Sequence, residues 1–400
     1  LAGDNTALDN AEDLVVDGGD TDMVGAANIQ GVTSYDSGAS SYTISDSASA
    51  VLGDTDTVVN DGVSGVIVTD ATGAGFVDAA DGVSLTDLEG SLQVATGDSA
   101  ADINFRVEDS ASAVAFELAG DNTALDGAND LVVDGGDTDM VGAANIQSSD
   151  AYDAAASSYT VSDSASAVLG DTDTAIDAGV GAINVEGAVG AGVGVQLGAL
   201  EDASFDAGFS SDVNFNVSDD AGDIATALAG DNTALDNAED LVVDGGDTDM
   251  VGAANIQGVT SYDSGASSYT ISDSASAVLG DTDTVVNDGV SGVIVTDATG
   301  AGFVDAADGV SLTDLEGSLQ VATGDSAADI NFRVEDSASA VAFELAGDNT
   351  ALDGANDLVV DGGDTDMVGA ANIQSSDAYD AAASSYTISD SASAVLGDTD

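Results

Sequence analysis

The chain runs to 400 residues with 75 acidic and only two basic side chains, Arg106 and Arg333, for a formal net charge of −73. That balance excludes nucleic acid as a partner, since binding it takes Lys and Arg against the phosphates, and it disfavours anionic membrane surfaces. His, Cys and Lys are absent, so catalytic triads, Schiff bases and His-ligated transition metals are unavailable and the chain reads as a non-enzyme.

In chain order, the first readable element is the β-branched run "DLVV" at 13–16, which leads into "DGGDTDMVG". Strand-like "SYTIS" follows at 41–45, then "DSASAV" at 46–51. Asp followed by Ser and Ala is a helix N-cap signature, with room for one or two turns before Gly53. A "GDTD" turn leads to the strand "GVIVTD" at 65–70. In "DINFRVED" at 102–109, Ile103, Phe105 and Val107 alternate with Asn104, Arg106 and Glu108, which predicts one core face and one solvated face. The longest uncharged glycine-rich run, Gly187 to Leu200, is too short to span a bilayer. It also lacks the GxxxxGK[ST] pattern of a phosphate loop.

These words recur at three levels. Residues 1–173 and 228–400 align without gaps at an offset of 227 and differ only at Val161 against Ile388. Residues 1–30 return with local changes at 118–147, and 41–56 return at 158–173. Aspartates that close a strand-like run, Asp46, Asp109, Asp163, Asp219, Asp273, Asp336 and Asp390, are spaced 54 to 63 residues apart. The chain is therefore read as one continuous array, 1–400, of about seven such units, without a linker or domain boundary. It starts at Leu1 without a signal peptide, as a window of a longer protein would.

Hydrophobic residues make up 44% of the chain, too many for disorder. Short strands joined by Gly/Asp turns suit an elongated solenoid, mostly β, of short parallel strands and short helical turns, with coils stacked at ~4.8 Å. Separate β-sandwiches would need larger core residues than 54-residue modules hold.

The corner "LVVDGGDTDMVG" at 14–25 carries the candidate site. It sets Asp17, Asp20 and Asp22 among glycines, and its copies set Asp134, Asp137 and Asp139; Asp244, Asp247 and Asp249; and Asp361, Asp364 and Asp366. Calcium takes six to eight oxygens from carboxylates and backbone carbonyls, which spaced aspartates on one turn supply. The alternative is a tight turn, because Asp and Gly are also the commonest turn formers. For the shorter "GDTD" at Asp54/Asp56 and Asp171/Asp173 the turn is expected. The eight tyrosines recur in one context, as Tyr35 with Tyr42 and its copies. They offer either an aromatic surface for glycan or packing at a strand start with the hydroxyl in water. Arg106 and Arg333, amid carboxylates, are expected in local ion pairs. Carboxylate pairs also run glycoside hydrolysis, but a catalytic pair is one constellation, and every cluster here is copied.

The "SYTVSDSASAVL…GVIVTD" pattern resembles the tandem repeats of giant secreted bacterial surface proteins, which often stand beside RTX-type calcium repeats. "DGGDTDMVG" resembles the RTX nonapeptide in its double glycine, spaced aspartates and following apolar residue. It departs in lacking the third glycine and the nine-residue period. The resemblance implies an extracellular, cell-surface location and a structural role as filament, coat or adhesin stalk. Calcium would be the stabilising ion. Expected partners are further copies in a filament or layer, with glycans or other surface proteins beyond them. A glycan-binding adhesin module and a surface-layer lattice protein are the alternatives. Self-repulsion at this charge fits a medium rich in salt or divalent cations.

Overall fold

Strand and helix alternate along the chain in the computed structural model, which describes residues 8–53, 59, 62–69, 75–96, 102–170, 179–206, 212–280, 289–296, 302–323 and 329–397. The chain divides into two compact units, Leu1–Glu186 with Leu200–Asn214, and Gly187–Ala199 with Phe215–Asp400. No linker marks the division, which passes inside secondary-structure elements.

The first unit begins with β1 (Asp17–Thr21), α1 (Met23–Gln30), β2 (Ser41–Ser47), α2 (Ala48–Leu52), β3 (Val63–Thr69), β4 (Phe76–Val77) and α3 (Ala79–Thr96). It continues with β5 (Asp102–Asn104), β6 (Arg106–Asp109), α4 (Ala111–Leu118), β7 (Asp130–Thr138), α5 (Met140–Ser148), β8 (Ser158–Asp163) and α6 (Ala165–Gly170). The boundaries cross β9 (Val180–Val189), α7 (Ala191–Asp206) and β10 (Asp212–Asp219). The second unit then holds α8 (Ala221–Leu228), β11 (Asp240–Thr248), α9 (Met250–Gln257), β12 (Ser268–Ser274), α10 (Ala275–Leu279), β13 (Val290–Thr296), β14 (Phe303–Val304) and α11 (Ala306–Thr323). It ends with β15 (Asp329–Asn331), β16 (Arg333–Asp336), α12 (Ala338–Glu344), β17 (Asp357–Thr365), α13 (Met367–Ser375), β18 (Ser385–Ile388) and α14 (Ala392–Gly397).

Every strand pair among the described residues is parallel, and most join chain neighbours; β3 skips to β5 and β4 to β6, and likewise β13 to β15 and β14 to β16. Thr21 faces Ile44, Ile44 faces Val66, and Val66 faces Ile103. Val77 faces Val107, and Val107 faces Leu131. Thr138 faces Val161, and Val161 faces Ile183. The second unit repeats this order from β11 to β18. Parallel neighbours cannot be joined by a tight hairpin, so each step needs a crossover, and most described steps use a helix.

The mostly-β expectation is corrected here: helix and strand each take about a third of the chain (35% and 34%), in repeating α/β units. The "DSASAV" helices stop at glycine as expected, α2 at Gly53 and α10 at Gly280, whereas α3 and α11, which start elsewhere, run for 18 residues each. The glycines inside these helices do not end them, because packing holds the chain helical. A Cβ on Gly82 would stand 2.7 Å from Val107 Cγ2 and 3.0 Å from Leu125 Cδ2, so the missing side chain lets α3 approach the sheet.

The core lies between helices and strands and is built from small side chains. Along "DINFRVED", Ile103, Phe105 and Val107 are at most 2% exposed, while Asp102, Asn104, Arg106 and Glu108 are exposed, as the alternation predicts. On α4 the buried residues are Ala111, Val114, Ala115 and Leu118, the stripe expected of a helix facing a sheet. Phe105, Phe215 and Phe332 are the largest apolar side chains fully buried, each at equivalent places in the repeat.

Candidate functional site: the aspartate corners

Each "DGGDTD" corner joins a strand to a helix. The two glycines have positive φ, 78° and 87° at Gly18 and Gly19 and 75° at both Gly135 and Gly136, a conformation costly for residues with a Cβ. They form a bulge: Asp17 pairs with Ser41 but Asp20 with Thr43, so three steps on one strand match two on the next. The same shift recurs at Asp134/Asp137, Asp244/Asp247 and Asp361/Asp364. All twelve corner aspartates are exposed.

The third aspartate of each corner caps the helix that follows. Asp22 Oδ1 accepts from the Gly25 amide at 2.6 Å, Asp139 from Gly142 at 2.7 Å, Asp249 from Gly252 at 2.7 Å and Asp366 from Gly369 at 2.8 Å. A helix N-terminus has orphan N–H groups, and a side-chain oxygen at this position satisfies one. The turn reading thus has a defined job, while the first two aspartates project from the bulge.

Among the described residues, three carboxylates bring ligand oxygens within 4.8 Å of one another at one place, Asp219, Asp220 and Asp223. The twelve corner aspartates are not part of it. Two of its members are already engaged with backbone: Asp219 accepts from the Ala191 and Asp220 amides, and Asp220 from Asp223 at 3.0 Å. In the sequence this cluster is visible as "DDAGD" standing where other units have "DSASA". The "GDTD" aspartates at 54/56 and 171/173 lie outside the described residues.

A second aspartate series has a role that the sequence reading misplaced. Asp46, Asp109, Asp163, Asp219, Asp273, Asp336 and Asp390 were expected to cap the helix just after them. The cap is instead the next residue, as at Ser47, Ser274, Ser337 and Asp220. The strand-end aspartate reaches sideways to the preceding coil. Its Oδ2 accepts the first helical N–H there, from Met23, Ala79, Met140, Ala191, Met250, Ala306 and Met367 respectively, at 2.9 to 3.2 Å. Its Oδ1 accepts the amide of the next residue in its own coil at 2.6 to 3.0 Å. One carboxylate therefore ties two successive helix starts together. These amides hold the Asp390 carboxyl below the usual range.

Other aspartates serve the turns. The Thr123 hydroxyl and then its amide lower Asp121, and Asp231 and Asp348 are lowered in the same way by Thr233 and Thr350. Asp126 Oδ1 accepts from the Ser149 hydroxyl and the Asp150 amide of the next coil.

The tyrosine hydroxyls do not face water as expected. Tyr42, Tyr159 and Tyr269 are 1–3% exposed. Their hydroxyls accept from Gln30, Gln147 and Gln257 Nε2 at 2.9, 3.2 and 2.8 Å. Burial, then the adjacent Tyr159, push Tyr152 well above the ordinary tyrosine range, and burial raises Tyr159 as well. The ion pairs match expectation: Arg106 meets Asp130 at 2.6 Å and lies 4.0 Å over the Phe76 ring, and Arg333 repeats this with Asp357 and Phe303.

Among the described residues no helix is long and apolar enough to cross a membrane. No family model matches the chain, and no curated protein or solved structure is significantly similar to it.

Proposed function

We propose that the chain is a structural repeat segment: an elongated solenoid whose stacked coils act as a stiff acidic spacer, filament or coat on an extracellular surface. The observation that carries this reading is the aspartate staple, present once in each of the seven 54- to 63-residue units and linking its strand end there to the helix start before it. Polar chemistry spent on copied coil-to-coil contacts is what a quasi-one-dimensional array requires, since each repeat is stabilised only by its neighbours. The buried Tyr42, Tyr159 and Tyr269 give no support to a glycan-facing aromatic surface. The carboxylate surface keeps the assembly hydrated and apart from other polyanions.

Scattering in solution tests the shape. Inserting a further 227-residue repeat should lengthen the maximum dimension in proportion to the added coils, whereas an unchanged dimension would overturn the reading. We extend the proposal to calcium at the corner aspartates, where Asp17 and Asp20 and their copies are exposed on the glycine bulge. Calcium added after chelation should raise the melting temperature at low ionic strength, and magnesium at equal charge should raise it less. No response to calcium would remove the ion but leave the structural role standing.

A further inference from the structure

The described phenylalanine side chains occupy three environments. Phe105, Phe215 and Phe332 are 1% exposed, and Phe76 and Phe303 lie under the guanidiniums of Arg106 and Arg333. Phe116 on α4 and Phe343 on α12 stand apart, each 77% exposed. Both helices have a helix packed on either side, α4 between α3 and α5 and α12 between α11 and α13. The exposed ring therefore marks an outer helix face and not an open end of the array. It cannot sink between α4 and α5, because the helices touch at the floor of their groove: a Cβ on Gly142 would stand 2.9 Å from Ala115 Cβ. Val141 lines that groove of about 280 Å³ beside Phe116 and is itself 67% exposed. In the second unit Val368, the copy of Val141, is 68% exposed. Clustered apolar side chains rimmed by polar ones mark an interaction surface, where a lone exposed one would not.

The rim is acidic. Asp137 and Asp139 line the groove toward α5, and Asp109 and Glu117 line a second groove of about 370 Å³ toward α3. Asp109 and Asp139 accept from backbone amides, which leaves their charge uncancelled, and the chain's two cations are paired with Asp130 and Asp357 instead. The aligned helix α8 shows that the feature is separable from the fold. It carries Thr226 and Ala227 where α4 has Phe116 and Glu117. Its groove persists at about 310 Å³, lined by Ala225 and Gly252. The ring and the adjoining acid thus occur together, and packing requires neither.

We propose that the outer faces of α4 and α12 are docking sites for a cationic amphipathic helix of another protein. Its apolar side chains would cover Phe116 and Val141, while its Lys or Arg side chains would reach the carboxylates or lie over the ring. Charge complementarity selects this occupant. A second copy of the chain brings a further net charge of −73. A neutral apolar partner would strip water from the four carboxylates and offer no counter-charge. The face needs only α3 to α5 of one unit, or α11 to α13 of the other, so it stands or falls apart from the stacked-coil reading.

The chain has no tryptophan, so a synthetic Leu/Lys amphipathic helix with one Trp on its apolar face signals its own burial by a blue shift in emission. Measured on the full chain with chelator present, at physiological salt to screen long-range attraction, this probe should bind, and F116T/F343T should weaken it roughly tenfold. Thr is what α8 carries at that position, so the variant should keep the wild-type melting curve. Glu117→Gln with Glu344→Gln should weaken binding less, by a margin that widens as salt is lowered. Oligolysine of equal charge should not distinguish wild type from F116T/F343T. Equal binding of the Leu/Lys helix by wild type and F116T/F343T would reveal attraction by charge alone and overturn the proposal. So would no binding, or equal binding of a Leu/Glu helix. Self-association of the wild-type chain that F116T/F343T abolishes would assign the face to copies of this chain and overturn the partner proposed.

Discussion

Asp273→Ala removes one staple from the second unit. The carboxylate is half-buried and accepts from Met250 N at 3.0 Å and Ser274 N at 2.6 Å. Hydrogen bonds to a charged group contribute about 1.5–3 kcal/mol each, toward the low end where water competes. Losing two, and relieving a little of the repulsion in a chain this acidic, leaves a net cost of about 2 kcal/mol. For a unit of this size that lowers the melting temperature by about 4–8 °C. Asp273→Asn keeps one acceptor oxygen and sets an amide N–H against the other donor, so it should fall between Ala and wild type. Asp247→Ala, measured in chelator, removes the same charge from an exposed corner and serves as the charge-matched control. Denaturant melts give the global effect. Because repeat arrays open locally, hydrogen exchange at Met250 and Ser274 gives the site effect. If D273A matches D247A in both measurements, the staple does not hold the coils together and the reasoning fails.

Gly82→Ala should cost about 1–3 kcal/mol through the collision with Val107 and Leu125, whereas Gly90→Ala, whose added Cβ meets nothing within 4 Å, should be neutral or slightly stabilising; paired melts compare them. Phe215→Ala should cost about 3–5 kcal/mol, read by the same melts, since the ring is 1% exposed and its removal leaves a cavity in the core. Acid acts in two stages. Glu89 and Glu316 are raised above 4.5, first by burial and then by nearby Asp102 and Asp329 respectively, so their charged forms oppose folding above that pH and the strain is relieved on protonation. Asp121, Asp231, Asp348 and Asp390 are lowered below 3.8. Their contribution is present above that value and lost as pH falls through their folded pKa. Melting temperature should therefore rise from neutral to mildly acid pH and fall below about 3.8, and a monotonic fall from pH 7 would contradict this. At the alkaline end Tyr152, raised above 10 by burial, holds its stabilising effect below pH 10 and loses it above, so unfolding should set in there.

What could be read locally was read from the residues themselves. The repeat hierarchy, the alternating faces of "DINFRVED" and the recurrence of short strands follow from covalent order and from the period of a strand. So does the pairing of Arg106 with a carboxylate, because almost every polar neighbour available to it is acidic. The corner was legible as a turn.

The remainder depended on partners far along the chain. Asp46 reaches Met23, 23 residues back, while Asp109 reaches Ala79, 30 back, and Asp219 reaches Ala191, 28 back. No fixed spacing reveals a staple whose offset changes with the length of each coil; only the register of adjacent strands does. The length of α3 was hidden for a related reason. Gly82 weakens an isolated helix but, once the sheet is beside it, is the residue whose absent Cβ permits contact. The tyrosines look like surface aromatics until the next coil covers them, with Gln147 supplying the buried hydroxyl's partner. Composition and period thus determined that repeating units would form and which faces would be apolar. Tertiary register alone decided which carboxylate bonds which amide, because that choice is made between coils and not within one.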